Sequence, residues 1–177
     1  MKKMIGFTFA ILGLTALASA QDITFNFDQE ANFAAFKTYK WVEISGGIKL
    51  DDLLTRQLTN ALETGLRAKG LVKVDGDTAD LYVGYQAAVS QERAVDLYGT
   101  GGFGMGPRWG GGMVTATTYT LAIGSVSLDM YDVKSKHLVW RGTATKTIDS
   151  SAKPDKRQKN IEKGVNKLLK NYPPKKK

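Results

Sequence analysis

The chain has 177 residues, 42% hydrophobic and 24% charged, with 25 Lys and Arg against 17 Asp and Glu and a formal net charge of +8. That is the length of one ordinary domain, with enough apolar material for a single core. It contains no cysteine, which excludes disulfides, thiolate metal sites, thiol nucleophiles and the lipid-bearing cysteine of a bacterial lipoprotein.

Lys2 and Lys3 precede an apolar run over residues 4–17, followed by Ala18-Ser19-Ala20. A charged start, a short apolar stretch and a small-x-small exit are the layout of a secretory signal peptide over residues 1–20, cleaved before Gln21. The run is about fourteen residues long, short of the about twenty that a spanning helix needs. The expected product is exported, periplasmic or extracellular, with no transmembrane segment after cleavage and no lipid anchor. Its charge is uneven. Residues 153–177 hold ten basic and two acidic side chains, +8, whereas residues 21–152 come to −2. A basic tail on a near-neutral body suits either contact with an anionic surface or a simple solvated face. Export argues against nucleic acid as that surface and leaves anionic lipid, lipopolysaccharide or cell-wall polymer.

In chain order, Ile23, Phe25 and Phe27 alternate with Thr24 and Asn26, the pattern of a half-buried strand. Residues 28–36 suit one helical turn bearing Phe33 and Phe36, and residues 37–44 a second strand with Tyr39 and Trp41 on one side. Residues 50–69 predict a helix, because Leu50, Leu53, Leu54, Leu58, Ala61, Leu62 and Leu66 recur at helical steps. Asp51-Asp52 stands at its start, Glu63 and Arg67 form an i,i+4 pair, and Gly70 sits at a C-terminal cap. Residues 71–74 read as a short strand and 75–77 as a turn.

Residues 80–90 alternate as a strand, as do 113–123. The apolar residues then change from odd positions (Tyr119, Leu121, Ile123) to even ones (Val126, Leu128, Met130), which predicts a β-bulge at Gly124-Ser125 or two separate strands. Residues 138–148 return as a hairpin. Pairing 130 with 138 and 128 with 140 leaves a five-residue loop and allows a diagonal Asp129–Arg141 contact. The last helix opens at Asp155, with Pro154 before it and Gln158 three residues on, as in a capping box. Ile161, Val165, Leu168, Leu169 and Tyr172 form its apolar stripe. Lys156, Lys159, Lys163, Lys167 and Lys170 lie on the opposite side, and Pro173-Pro174 ends it. The narrow stripe, without Trp or Phe, favours docking on the protein's own sheet over lying in a membrane surface.

Chemistry-bearing patterns are sparse. Residues 99–112 hold eight glycines with Phe103, Met105, Arg108 and Trp109 among them. Gly99 to Gly104 matches GxGxxG in form, but a strand rather than a helix follows and Arg108 is the lone cation, so a phosphate cradle does not fit. A mobile glycine-rich connection between two strands does, and the functional alternative is a surface loop that offers Phe103, Met105 and Trp109 to a partner. His137 is the single histidine and has no thiol or second histidine to share a metal. Asp75, Asp77 and Asp80 cluster as turn acids, too close together for a calcium loop. There is no GxSxG nucleophile signal.

Taken in order, several segments resemble the domain-of-unknown-function 4136 family. They are Phe27-Asp28, Phe33, Phe36, Lys37-Thr38-Tyr39 and Trp41; Ala68-Lys69-Gly70; and Ala79-Asp80-Leu81-Tyr82-Val83. The glycine and aromatic stretch before Thr118-Tyr119-Thr120 follows, then Leu128-Asp129-Met130-Tyr131-Asp132 and Leu138-Val139-Trp140-Arg141-Gly142. The resemblance implies a small exported bacterial envelope protein with an α+β fold, an antiparallel sheet with helices on one side, and no established activity or catalytic residues. Many such proteins carry a lipidated cysteine, which this chain lacks.

The expectation is a single α+β domain over residues 21–172, an antiparallel sheet with two main helices packed on one face, followed by a basic tail at 173–177. It would be a non-catalytic binding or structural module needing no cofactor or metal. Its contacts with an envelope protein or anionic envelope surface would run through Phe103, Met105, Arg108, Trp109 and the five helix lysines. Alternatives are a small-molecule or lipid carrier using the cleft between sheet and helices and, more remotely, a hydrolase built on Asp129 and His137.

Overall fold

The computed structural model describes residues 22–76, 78–99 and 114–175, with backbone alone at 96–99 and 114–115. The order is β1 (Asp22–Phe27), β2 (Thr38–Trp41), α1 (Asp52–Ala68), β3 (Val72–Lys73), β4 (Leu81–Gly99), β5 (Val114–Asp132), β6 (Leu138–Thr147) and α2 (Pro154–Leu169). The six strands form one sheet in the order β1-β6-β5-β4-β2-β3, and both helices pack on one face of it. This is the expected α+β domain. The sheet is mixed rather than purely antiparallel: β2 runs parallel to β3 and to β4, and the other pairings are antiparallel. The α1 crossover between β2 and β3 supplies the long connection that parallel neighbours need.

The core lies between that face and the helices. Leu81 and Val83 of β4, Leu128 and Met130 of β5 and Trp140 of β6 meet Leu58, Leu62 and Leu66 of α1 and Val165, Leu168 and Leu169 of α2. Phe33 and Tyr172 close one end, edge-to-face at 5.8 Å, and burial pushes the Tyr172 hydroxyl up to about 12. The segment 28–36 is not a helical turn. It bends over residues 29–31 and makes one hydrogen-bonded reversal, Ala35 N–H to the Asn32 carbonyl at 3.0 Å.

The expected bulge at Gly124-Ser125 is absent, and β5 is one strand in unbroken register with β4 from Leu81↔Asp132 to Gly99↔Val114. The change of phase marks where the helices stop covering the sheet. Val126, Leu128 and Met130 face the helices, whereas Leu121 and Ile123 point to the other face. From Gln91↔Ala122 outward, β4 and β5 continue as a two-stranded arm. The irregularity lies instead at Met130/Tyr131, where Tyr131 pairs with Leu138 and Met130 with Trp140, leaving Val139 as the extra residue. That places Leu128 opposite Gly142 and shifts the expected register by two while preserving the faces. The spent carbonyl of Val139 accepts from the Asp28 N–H at 2.9 Å, which ties β1 to the bulge.

Candidate functional site

Both helices are held by inward stripes, and they approach closely where α1 has a glycine. A Cβ on Gly65 would stand 2.6 Å from Leu169 Cδ1 and 3.2 Å from Val165 Cγ1. Any larger residue there would have to push the buried Leu169 and Val165 side chains aside. Asp51 caps α1, accepting from the Leu53 and Leu54 N–H groups, and Gly70 follows with φ +84°, as expected. The Glu63–Arg67 pair gives way to longer-range partners. Glu63 Oε1 accepts from Lys73 Nζ and from Trp41 Nε1, both at 2.9 Å, and the Lys73 hydrogen bond leads in holding its carboxyl below the usual range.

The start of α2 differs from the expected capping box. Pro154 occupies the first turn, so the helix begins one residue before Asp155. Its N-cap is Lys153, which makes no side-chain capping bond. Gln158 bonds instead to Glu162 at 3.0 Å. The stripe is placed as read: Val165, Leu168, Leu169 and Tyr172 are buried. An apolar face already spent on the core cannot also enter a bilayer, so α2 meets the outside through polar groups alone. Among the described residues no helix is long and apolar enough to cross a membrane.

What α2 presents outward is its lysines. Lys156, Lys159, Lys163, Lys167 and Lys170 are all exposed. At 100° per residue they fall within a strip of about 80°. Lys156 is engaged by Asp149 at 2.9 Å. Asp149 also accepts from the Ser151 hydroxyl and N–H, and the Ser151 hydrogen bond, followed by the Lys156 one, lowers its carboxyl to about 2. Lys159, Lys163, Lys167 and Lys170 make no ion pair among the described residues. The apolar stripe of α2 docks on the core, so the lysine strip faces away from the fold.

A second feature lies where the N-terminal halves of the two helices stand apart. An apolar groove of about 330 Å³ runs between them over β5 and β6, lined by Leu54, Leu58, Val126, Ala144, Ile161 and Leu168. Lys146 and Arg157 share its lining. Larger openings occur elsewhere, one of about 610 Å³ beside the 42–50 connection and one of about 750 Å³ between Phe25 and Lys175, but their linings are more polar. A cleft between sheet and helices is what the carrier alternative expects, but the position of this groove has no signal in the sequence, because it depends on the β6 register and on how far the helices diverge.

The remaining candidates are not brought together. Asp129 is 0% exposed and lies on the face away from the helices, directly opposite Arg141 rather than diagonal to it. Arg141 Nε and Nη2 occupy both its oxygens at 2.5 and 2.6 Å. His137 sits exposed in the β5–β6 turn, where its N–H meets Ser135 Oγ at 3.4 Å. Asp80 is structural: it accepts from the Lys37 and Thr38 N–H groups and the Thr38 hydroxyl, and the Lys37 bond leads in holding its carboxyl below the usual range. Among the described residues no three His, Asp or Glu side chains are grouped to hold a metal ion. Phe103, Met105, Arg108 and Trp109 lie outside the described residues, as do residues 1–21 and Asp77.

A family model described as a domain of unknown function, DUF4136, matches residues 23–174. No curated protein matches the sequence. Among solved structures the fold is similar to the crystal structure of a PDZ domain protein from Parabacteroides distasonis, with 13% identity and a TM-score of 0.52. That match covers 89% of this chain and 37% of the other, so the chain spans little more than a third of that relative's length. PelC from Paraburkholderia phytofirmans, solved as a dodecamer, is matched at 13% identity and a TM-score of 0.49 over 85% of this chain and 95% of that one. At these identities the likeness concerns the fold alone.

Proposed function

We propose that this chain, which belongs to the DUF4136 family, is a non-catalytic binding module of the bacterial envelope that rests on an anionic surface through the lysine face of α2. The observation that carries the proposal is the disposition of Lys159, Lys163, Lys167 and Lys170: one strip, fully outward, on a helix whose other side is buried. Each cation near an anionic lipid surface contributes about 1 kcal/mol, falling off within a Debye length. A cluster of four gives reversible, salt-sensitive attachment without insertion. The leader-like residues 1–20 support export, and the sequence has no cysteine to carry a lipid. The catalytic alternative has little support, since the Asp129 carboxylate is committed to Arg141.

The test is co-sedimentation of the mature protein with vesicles of phosphatidylglycerol and phosphatidylethanolamine. Binding is expected at low salt, with release as ionic strength rises and no binding to vesicles of neutral lipid. Equal binding to neutral and anionic vesicles would overturn the proposal, as would binding indifferent to salt.

A further inference from the structure

The groove between the N-terminal halves of the helices contains one side chain that the core pattern does not call for. Along β6 the positions facing the helices are Trp140, Gly142, Ala144 and Lys146, paired with Met130, Leu128, Val126 and Gly124. Three of them are apolar or small and the fourth is a lysine, half-buried. The Lys146 side chain makes no hydrogen bond or ion pair among the described residues. The one carboxylate beside it in the groove wall, Asp149, is taken up by Lys156 and Ser151. Arg157 lines the same wall, its Nε donating to the Ala152 carbonyl at 3.1 Å. Opposite Lys146 stands Gly124, with the Ile148 side chain lying over it, where a Cβ would meet that side chain at 3.2 Å.

An apolar channel with a cation at its edge and no anion of its own to pair it is complementary to an apolar chain that ends in a negative charge. We infer that this groove binds a single-chain carboxylate amphiphile of the fatty-acid class. The chain lies along Leu54, Leu58, Val126 and Ile161, and the carboxylate sits at Lys146. The volume of about 330 Å³ is at the small end of ligand sites, roughly 300–1,000 Å³, which suits one chain rather than two. The inference rests on the reading of the chain as a binding module but not on the lysine face of α2, and its test leaves that face intact.

The experiment is a calorimetric titration of the mature protein with dodecanoate below its micelle concentration, with dodecanol and butyrate alongside. Dodecanoate is expected to saturate one site, dodecanol to bind about tenfold more weakly for want of the charged contact, and butyrate not to bind. Lys146→Ala should weaken dodecanoate about tenfold and leave dodecanol unchanged. Ala144→Phe, which fills the floor, should abolish binding of both. Ile148→Glu, at a 43% exposed position in the groove lining, places a carboxylate near Lys146 and should abolish dodecanoate binding, with the melting temperature measured alongside to show that the variant is folded. Absence of saturable dodecanoate binding would overturn the inference. Equal affinity for dodecanoate and dodecanol, or dodecanoate binding untouched by Lys146→Ala, would overturn it as well. Vesicle binding through the lysine face would be unaffected by either result.

Discussion

The two helices lie side by side on one sheet face, do the same structural work and differ on their outer surfaces. α1 carries Asp52 and Glu63 against Arg56 and Arg67, an even balance, while α2 carries five basic and two acidic residues. Both bury a Leu-rich stripe in the same core. Docking therefore asks nothing of the outer face beyond polarity, since a neutral mixture serves α1 as well as a cationic strip serves α2. The lysines of α2 are consequently not required by how the protein folds, which leaves them available for the contact proposed above. The N-caps differ in the same sense: α1 starts on a bonded Asp51, whereas α2 starts on Lys153 with no side-chain bond.

The largest effects test the shared half of that comparison. Leu62→Ala in α1 and Leu168→Ala in α2 remove fully buried side chains and should each cost about 2–5 kcal/mol in urea unfolding. A negligible cost at Leu168 would mean that α2 is not anchored and that its lysines do not face outward as described. Next is the crossing itself. Gly65→Ala drives a methyl against Leu169 and Val165, both buried, and should cost about 1–3 kcal/mol. An unchanged melting temperature would show that the helices have room to part.

The caps probe the difference between the helices at smaller scale. Asp51→Ala should cost about 1 kcal/mol, while Lys153→Ala should stay within about 0.5 kcal/mol. Equal losses in thermal unfolding would erase the distinction. The smallest effect is acid dependence at the α2 end. The Asp149 carboxyl is lowered from 3.8 to about 2 in the folded chain, so its contribution is complete above the unfolded value and is lost as the pH falls through the folded one. Asp149→Asn should therefore narrow the difference in stability between pH 5 and pH 2. Identical acid profiles for the two proteins would contradict the assignment.

What the sequence discloses follows the range of the interactions. Both helices, their buried stripes and the lysine strip are legible, since each is a periodicity within one segment. The hairpin faces are legible too, because alternation fixes parity. The register is not: Val139 bulges, and its carbonyl accepts from Asp28, more than a hundred residues away in sequence. Glu63 leaves Arg67 for Lys73 and Trp41 for the same reason. Asp155 and Gln158 copy a capping box, but Pro154 is itself a good first-turn residue and starts the helix earlier. The parallel placement of β2 between β3 and β4 and the groove at Lys146 depend on packing between distant segments, so neither is visible in any window of sequence.

The central claim is that position, not net charge, makes α2 the contact surface. The most direct measurement compares two variants that each neutralise four cations to glutamine, one at Lys159, Lys163, Lys167 and Lys170, the other at Lys37, Lys49, Arg56 and Arg67. At low salt the α2 variant should lose affinity for phosphatidylglycerol vesicles by roughly three orders of magnitude, about 1 kcal/mol for each lysine. The control, with the same net charge, should lose far less. Equal losses in the two variants would show that overall charge alone holds the protein to the surface, and the account of α2 would fail.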